Sequence, residues 1–163
     1  MSPERPSRRP TSRRPRLQDT VRLSADGLAK VMGDLEARVL QTVWALGQPV
    51  PARAVYERVI AEHPVAPLTV ITVLNKLVTK GFLARRSKDG LLHYRAVMGE
   101  EELRALASRR VVEGILSFGP DAVAASVVDV LAEQDPERLA ELGRLIRRRL
   151  REQALDERAG KGE

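Results

Sequence analysis

Apolar residues recur at helical spacing between Gly33 and Leu46. Leu35, Val39, Val43 and Leu46 make a stripe, with Leu40 and Trp44 at its flanks. Asp34 and Glu36 fall near the positive end of this predicted helix, where acids are favoured. Gly47-Gln48-Pro49 ends it. Pro51 to about Glu62 reads as a second helix, with Ala54, Val55, Val59 and Ile60 available for packing and His63-Pro64 as its break. Ala66-Pro67 opens a third. Val70, Leu74, Leu77 and Val78 share one face of it, and Thr69, Thr72, Asn75, Lys76 and Lys80 lie on the other. Gly81 suits the left-handed position that stops a helix. The period then changes. Phe82-Leu83-Ala84-Arg85-Arg86 and Leu91-Leu92-His93-Tyr94-Arg95 flank Ser87-Lys88-Asp89-Gly90, and Asp-Gly is a strong hairpin signal.

After a linker at Val97-Met98-Gly99 three more helical segments follow. Glu100 to about Ser117 is the first, closed by Phe118-Gly119-Pro120. Asp121 to about Glu133 is the second, with Val123, Val127, Val130 and Leu131 apolar. The third is N-capped by Asp135, with Pro136 at its first position, and carries Leu139, Leu142, Ile146 and Leu150 as a stripe. Short amphipathic helices with no further layer bury their faces poorly alone, and pairing with a second copy solves that. The predicted organisation is an arm over 1–30, a first domain over 31–98, a helical dimerisation domain over 99–153 and a frayed tail over 154–163. The fold class is mostly α with a small β-wing. The order helix, extended Val50, helix, helix, hairpin is that of a winged helix-turn-helix.

Charge changes the picture by its distribution. The chain of 163 residues has a net charge of +6. Residues 1–22 hold seven arginines (Arg5, Arg8, Arg9, Arg13, Arg14, Arg16 and Arg22) against Glu4 and Asp19, or +5, which leaves +1 for the rest. DNA attraction by the folded part must therefore come from a local patch. The Pro-, Arg- and Ser-rich arm reads as disordered. It is a solvated tail, an upstream extension of a true start near Val31-Met32, or a source of phosphate attraction. Aromatics make up 3 % of the chain, so the core is expected to be aliphatic, as packed helices allow. The absence of Cys excludes disulfides, thiolate metal sites and thiol redox sensing within one chain. His63 and His93 are the only histidines, too few for a histidine metal cluster, and no cofactor or metal is expected. No apolar run approaches the roughly 18 to 20 residues of a membrane span. The Arg-Arg pairs are followed by no apolar export segment, so a cytoplasmic protein without membrane insertion is the expectation. No nucleophile, base and orienter can be assembled, which argues against an enzyme.

The candidate chemistry is nucleic-acid recognition. Thr69, Thr72, Asn75 and Lys76 face away from the expected core, with short hydrogen-bonding groups and a cation suited to base edges and phosphates. Asn75 suits adenine, and threonine methyls suit thymine. Ile71 is out of place on a purely solvated face, unless it packs on the first helix. Lys80 joins this set, Arg85, Arg86 and Lys88 on the wing are candidates for phosphate or minor groove, and Arg53 is a candidate phosphate contact. Tyr94 is expected in the core and His93 as a packing residue. Arg147 to Arg149 read as a solvated face. The leading reading is a dimeric, sequence-specific repressor. A winged-helix protein-interaction module and a nonspecific nucleic-acid binder driven by the arm are the alternatives.

From Gly33 to about Glu152 the chain resembles the penicillinase-repressor family, the BlaI/MecI/CopY group of bacterial repressors. Gly33-Asp34-Leu35-Glu36 with Val39, Leu40 and Trp44, the run Pro67 to Leu77, Lys80-Gly81-Phe82 and His93-Tyr94-Arg95 carry the resemblance. It implies a homodimer with an N-terminal winged helix and a C-terminal dimerisation domain, bound to a double-stranded operator of two-fold symmetry. It also implies, for many members, relief of repression by a membrane-bound sensor metalloprotease. The Asn-Phe bond cut in the β-lactam branch aligns with Asp129-Val130, a different pair, so any site there has another specificity. The cysteine metal site of the copper-sensing branch is missing. Pro51 stands where a Ser or Thr cap is frequent, and the basic arm is additional.

Overall fold

The computed structural model describes residues 15–160; expectations for residues 1–14 and 161–163 lie outside the described residues. Two compact units divide between Val112 and Glu113. The first contains a 3-10 turn (Gly27–Lys30), α1 (Asp34–Ala45), β1 (Val50–Pro51), α2 (Ala52–Ile60), α3 (Pro67–Thr79), β2 (Leu83–Lys88), β3 (Leu91–Ala96) and most of α4 (Glu100–Leu116). The strands form one antiparallel sheet in the order β1-β3-β2, with Val50 opposite Tyr94 and Lys88 opposite Leu91. The expected extended step at Val50 thus becomes the third strand of a winged helix-turn-helix.

The path from α3 through the hairpin turns on two glycines, one at the helix end and one between the strands. Gly81 has φ +85°. Its N–H donates to Val78 O at 3.1 Å, and the next N–H, of Phe82, donates to Leu77 O at 2.9 Å. This is a Schellman motif, with buried Phe82 and Leu77 supplying the usual apolar contact. Between the strands, Asp89 (φ 53°) and Gly90 (φ 76°) make a two-residue loop with both residues left-handed, the type I′ turn that matches strand twist.

Val39, Leu40 and Val43 of α1, Val55 and Val59 of α2, and Val70, Leu74 and Leu77 of α3 meet in one core with Leu83 and Tyr94 of the wing. Tyr94 is buried as expected. Trp44 reaches from α1 to donate its indole N–H to Met98 O at 3.1 Å.

The boundaries differ from expectation in three places. Residues 15–30 are not a loose arm. Arg16 N–H donates to Lys80 O at 2.9 Å, Gln18 N–H to Val31 O at 2.8 Å and Arg22 N–H to Lys30 O at 2.8 Å. Leu28 is buried, and the Arg22 guanidinium binds Ala29 O at 2.7 Å and Asp34 Oδ1 at 2.8 Å. The hydrogen bond from Arg22 holds the Asp34 carboxyl below its usual range. Secondly, the first unit does not end at residue 98. Leu103 and Ala107 of α4 are buried in its core, because α4 begins amphipathic against it. Thirdly, the expected frayed tail is helical as far as described.

The second unit, residues 113–163, contains the end of α4, α5 (Pro120–Gln134) and α6 (Pro136–Gly160), the last two packed on each other. Asp135 Oδ1 accepts the Arg138 N–H at 3.0 Å, the expected cap of α6. Neither α5 nor α6 has a buried residue. Among the described residues no single helix is long and apolar enough to cross a membrane.

Candidate nucleic-acid interface

Pro67 at the first position of α3 sets its entry, and the apolar stripe on the core fixes its rotation. Leu68, Thr69, Ile71, Thr72, Lys76 and Thr79 are thereby exposed, with Asn75 half-buried among them. The Thr72 hydroxyl donates back to Leu68 O at 2.8 Å, and that of Thr79 to Asn75 O at 3.1 Å. Ile71 is 38 % exposed, so it does not disappear onto α1.

Asn75 is engaged within the fold. Its Oδ1 accepts from Arg85 Nη1 at 2.8 Å and from the Tyr94 hydroxyl at 3.4 Å. Bidentate pairing with adenine needs that oxygen to accept from the base. The expected adenine reader is therefore a brace between recognition helix and wing.

The lysines divide as well. Glu36, the third residue of α1, is 3 % exposed. It accepts the Gly33 N–H at 3.1 Å, half of a capping box, since glycine has no side chain to return the bond. Lys80 Nζ approaches its two oxygens at 2.9 and 2.8 Å, and Lys76 Nζ lies 2.8 Å from Oε1. Burial pushes the Glu36 carboxyl up, but the hydrogen bonds from Lys76, Lys80 and the Gly33 amide outweigh it and hold the pKa below the ordinary range. The Lys80 side chain is only 23 % exposed and that of Lys76 is 58 % exposed. Lys80, expected on the DNA face, is thus turned inward to α1. Lys76 keeps an outward surface.

On the wing the strand alternation separates two faces. Arg85 lies opposite Tyr94, on the side that meets Asn75. Arg86 opposite His93, Lys88 opposite Leu91, and Arg95 opposite Ala84 share the other side, around a shallow hollow of about 400 Å³. Arg85, Arg86, Lys88 and Arg95 are all exposed. Arg95 was missed from sequence, although period-two counting from Arg86 places it there. Leu68 was missed for a different reason: an apolar residue on a polar face was assigned to neither core nor site. Arg53, on the first turn of α2, is exposed and pairs with Glu57 at 2.7 Å.

Among the expected dimerisation residues, Val127, Val130, Ile146 and Leu150 are exposed, and Val123, Leu131, Leu139 and Leu142 are half-buried. Val123, Val127, Val130 and Leu131 line an apolar hollow of about 570 Å³ with Ile115 and Phe118. Phe118 is 86 % exposed. Asp129-Val130 lies inside α5, with both residues exposed. Among the described residues no group of His, Cys, Asp or Glu has the arrangement of a metal site.

A helical recognition element braced to a basic β-wing defines the winged-helix class of regulators. The penicillinase repressor family profile matches residues 32–148, and this chain belongs to that family, one of transcriptional regulators and not of enzymes. It is 35 % identical over 74 residues to the transcriptional regulator BlaI of two Mycobacterium tuberculosis strains, covering 45 % of this chain and 54 % of theirs. The chain thus spans about half the length of those curated relatives. Among solved structures, F-93 of SSV1 aligns with a TM-score of 0.37 and 21 % identity, over 52 % of this chain and 91 % of that one. Sco5413, a MarR family transcriptional regulator from Streptomyces coelicolor, aligns with a TM-score of 0.34 and 22 % identity, over 67 % and 83 %.

Proposed function

We propose that this protein is a sequence-specific, DNA-binding transcriptional repressor that acts as a homodimer on a two-fold symmetric operator. The observation that carries this reading is the solvent face of α3, unused by the core and locked through Asn75 and Arg85 to a wing with four exposed arginines and lysines. A rigid helix enters the major groove, and the wing cations take the adjacent phosphates or minor groove. Family membership supports the same reading. Thr69, Thr72 and Lys76 contact the groove, Arg86, Lys88 and Arg95 the backbone, and Arg53 a flanking phosphate. The work is then done in the cytoplasm, without a cofactor.

Dimerisation through α5 and α6 is supported by the apolar residues that one chain leaves uncovered there. A sensor protease cutting Asp129-Val130 parts Val123 and Val127 from Val130 and Leu131, which unmakes that face and releases the operator.

The test is selection of random duplexes by the purified protein near physiological salt, followed by sequencing. Enrichment of one inverted repeat is expected. Tight binding at low salt with no enriched motif would instead mean charge-driven association, and no binding at all would mean a protein-interaction module.

A further inference from the structure

The solvent face of α3 is apolar at its centre. Leu68 is 72 % exposed and Ile71 38 % exposed, three residues apart and on neighbouring turns. Thr72, one turn on from Leu68, spends its hydroxyl proton on Leu68 O at 2.8 Å, so its methyl is the group it has left to offer. Asn75, next along the same face, has its acceptor occupied by Arg85 and Tyr94. The polar groups that read purines are therefore withdrawn from the middle of the face, and two large aliphatic side chains remain. Exposed aliphatics there cost hydration, and among the described residues both side chains keep that exposure. The rest of that face is cationic, with Lys76 exposed further along α3 and Arg85 of the wing bonded to Asn75. That complements a polyanion rather than a second apolar surface.

In the major groove the one apolar feature of a base pair is the C5-methyl of thymine. We infer that Leu68 and Ile71, with the Thr72 methyl, form a pocket-less apolar reader of thymine methyls, and that this contact determines operator sequence at the centre of each half-site. The inference rests on the repressor reading above and deepens it by naming the chemical group that is read.

The experiment uses the full chain and the duplex enriched by selection. Each thymine of a half-site is replaced in turn by deoxyuridine, which removes the methyl and keeps every hydrogen-bonding group. Burying one methyl predicts a loss of about fourfold in affinity at the positions read. Leu68→Ala or Ile71→Ala should bind the thymine and uracil duplexes alike at those positions. Both residues are exposed, so these variants fold. Uracil duplexes bound as tightly as thymine at every position would overturn the inference and leave the repressor reading standing, with the patch then open to a protein contact. So would a selected motif with no invariant thymine, or a thymine preference that survives both substitutions. Failure to enrich any motif would sink the repressor reading, and this inference with it.

Discussion

The Glu36 carboxylate is shared by two lysines that look alike in the sequence and differ in what they are free to do. Lys80 is mostly enclosed against it, while Lys76 touches it and still faces outward. Lys80→Ala should therefore lower stability, by roughly 1.5–3 kcal/mol for a charge-assisted bond to a buried acid, and leave DNA affinity nearly unchanged. Lys76→Ala should do the reverse, because Lys80 and the Gly33 amide still satisfy Glu36. It should weaken operator binding and reduce the salt slope by about one. Thermal melts and salt-dependent binding of both variants check this, and matching effects from the two would refute the division. The same carboxylate sets a pH dependence. Its folded pKa is depressed, so its contribution is complete above the unfolded value, about 4.3 for glutamate, and is lost as pH falls through the folded one. Glu36→Gln should lose less melting temperature than the wild type between about pH 6 and pH 3. A parallel acid limb in the two proteins would show that Glu36 is not the titrating group.

Elements with a strong local signal were legible. Helical spacing, the Gly81 stop and the Asp-Gly turn placed α1, α3 and the hairpin to within about two residues, the usual scatter of helix ends. What was not legible depended on partners distant in sequence. Residues 15–30 lack periodicity, and the amides of Arg16, Gln18 and Arg22 find their partners in the carbonyls of Lys80, Val31 and Lys30. Lys80 and Asn75 sit on the polar side of α3 by spacing, and only the fold brings Glu36 and Arg85 to them. The start of α4 looked like part of the second domain, because nothing local says that Leu103 and Ala107 meet α1's unit. In the second unit, α5 and α6 carry an apolar surface with no buried residue, which a second copy is proposed to cover. Leu142→Asp should give monomers by sedimentation velocity. Ile146→Asp is the companion variant, since Ile146 is 49 % exposed and its loss leaves the α5–α6 packing alone. A dimer that survives both substitutions would move the interface elsewhere.

For the whole molecule, the division of charge decides how affinity and specificity are shared. Residues 1–14 carry Arg5, Arg8, Arg9, Arg13 and Arg14 against Glu4. The amide of Arg16 is bonded to Lys80 O, so this segment joins the folded unit at the C-terminal end of α3. Helix α3 has 13 residues, about 20 Å at 1.5 Å per residue. Fourteen extended residues reach up to roughly 46 Å, so phosphates along and beyond the recognition helix are all within range. Such contacts add attraction without reading sequence. Deletion of residues 1–14 should therefore lower affinity for every duplex alike. It should make the slope of log affinity against log salt shallower by up to about four, at roughly 0.9 per phosphate neutralised. The ratio of operator to random-duplex affinity should stay constant, because α3 and the wing are untouched. A truncated protein that loses that ratio would return specificity to the arm and favour the nonspecific binder. An unchanged slope would make residues 1–14 a solvated extension with no part in binding.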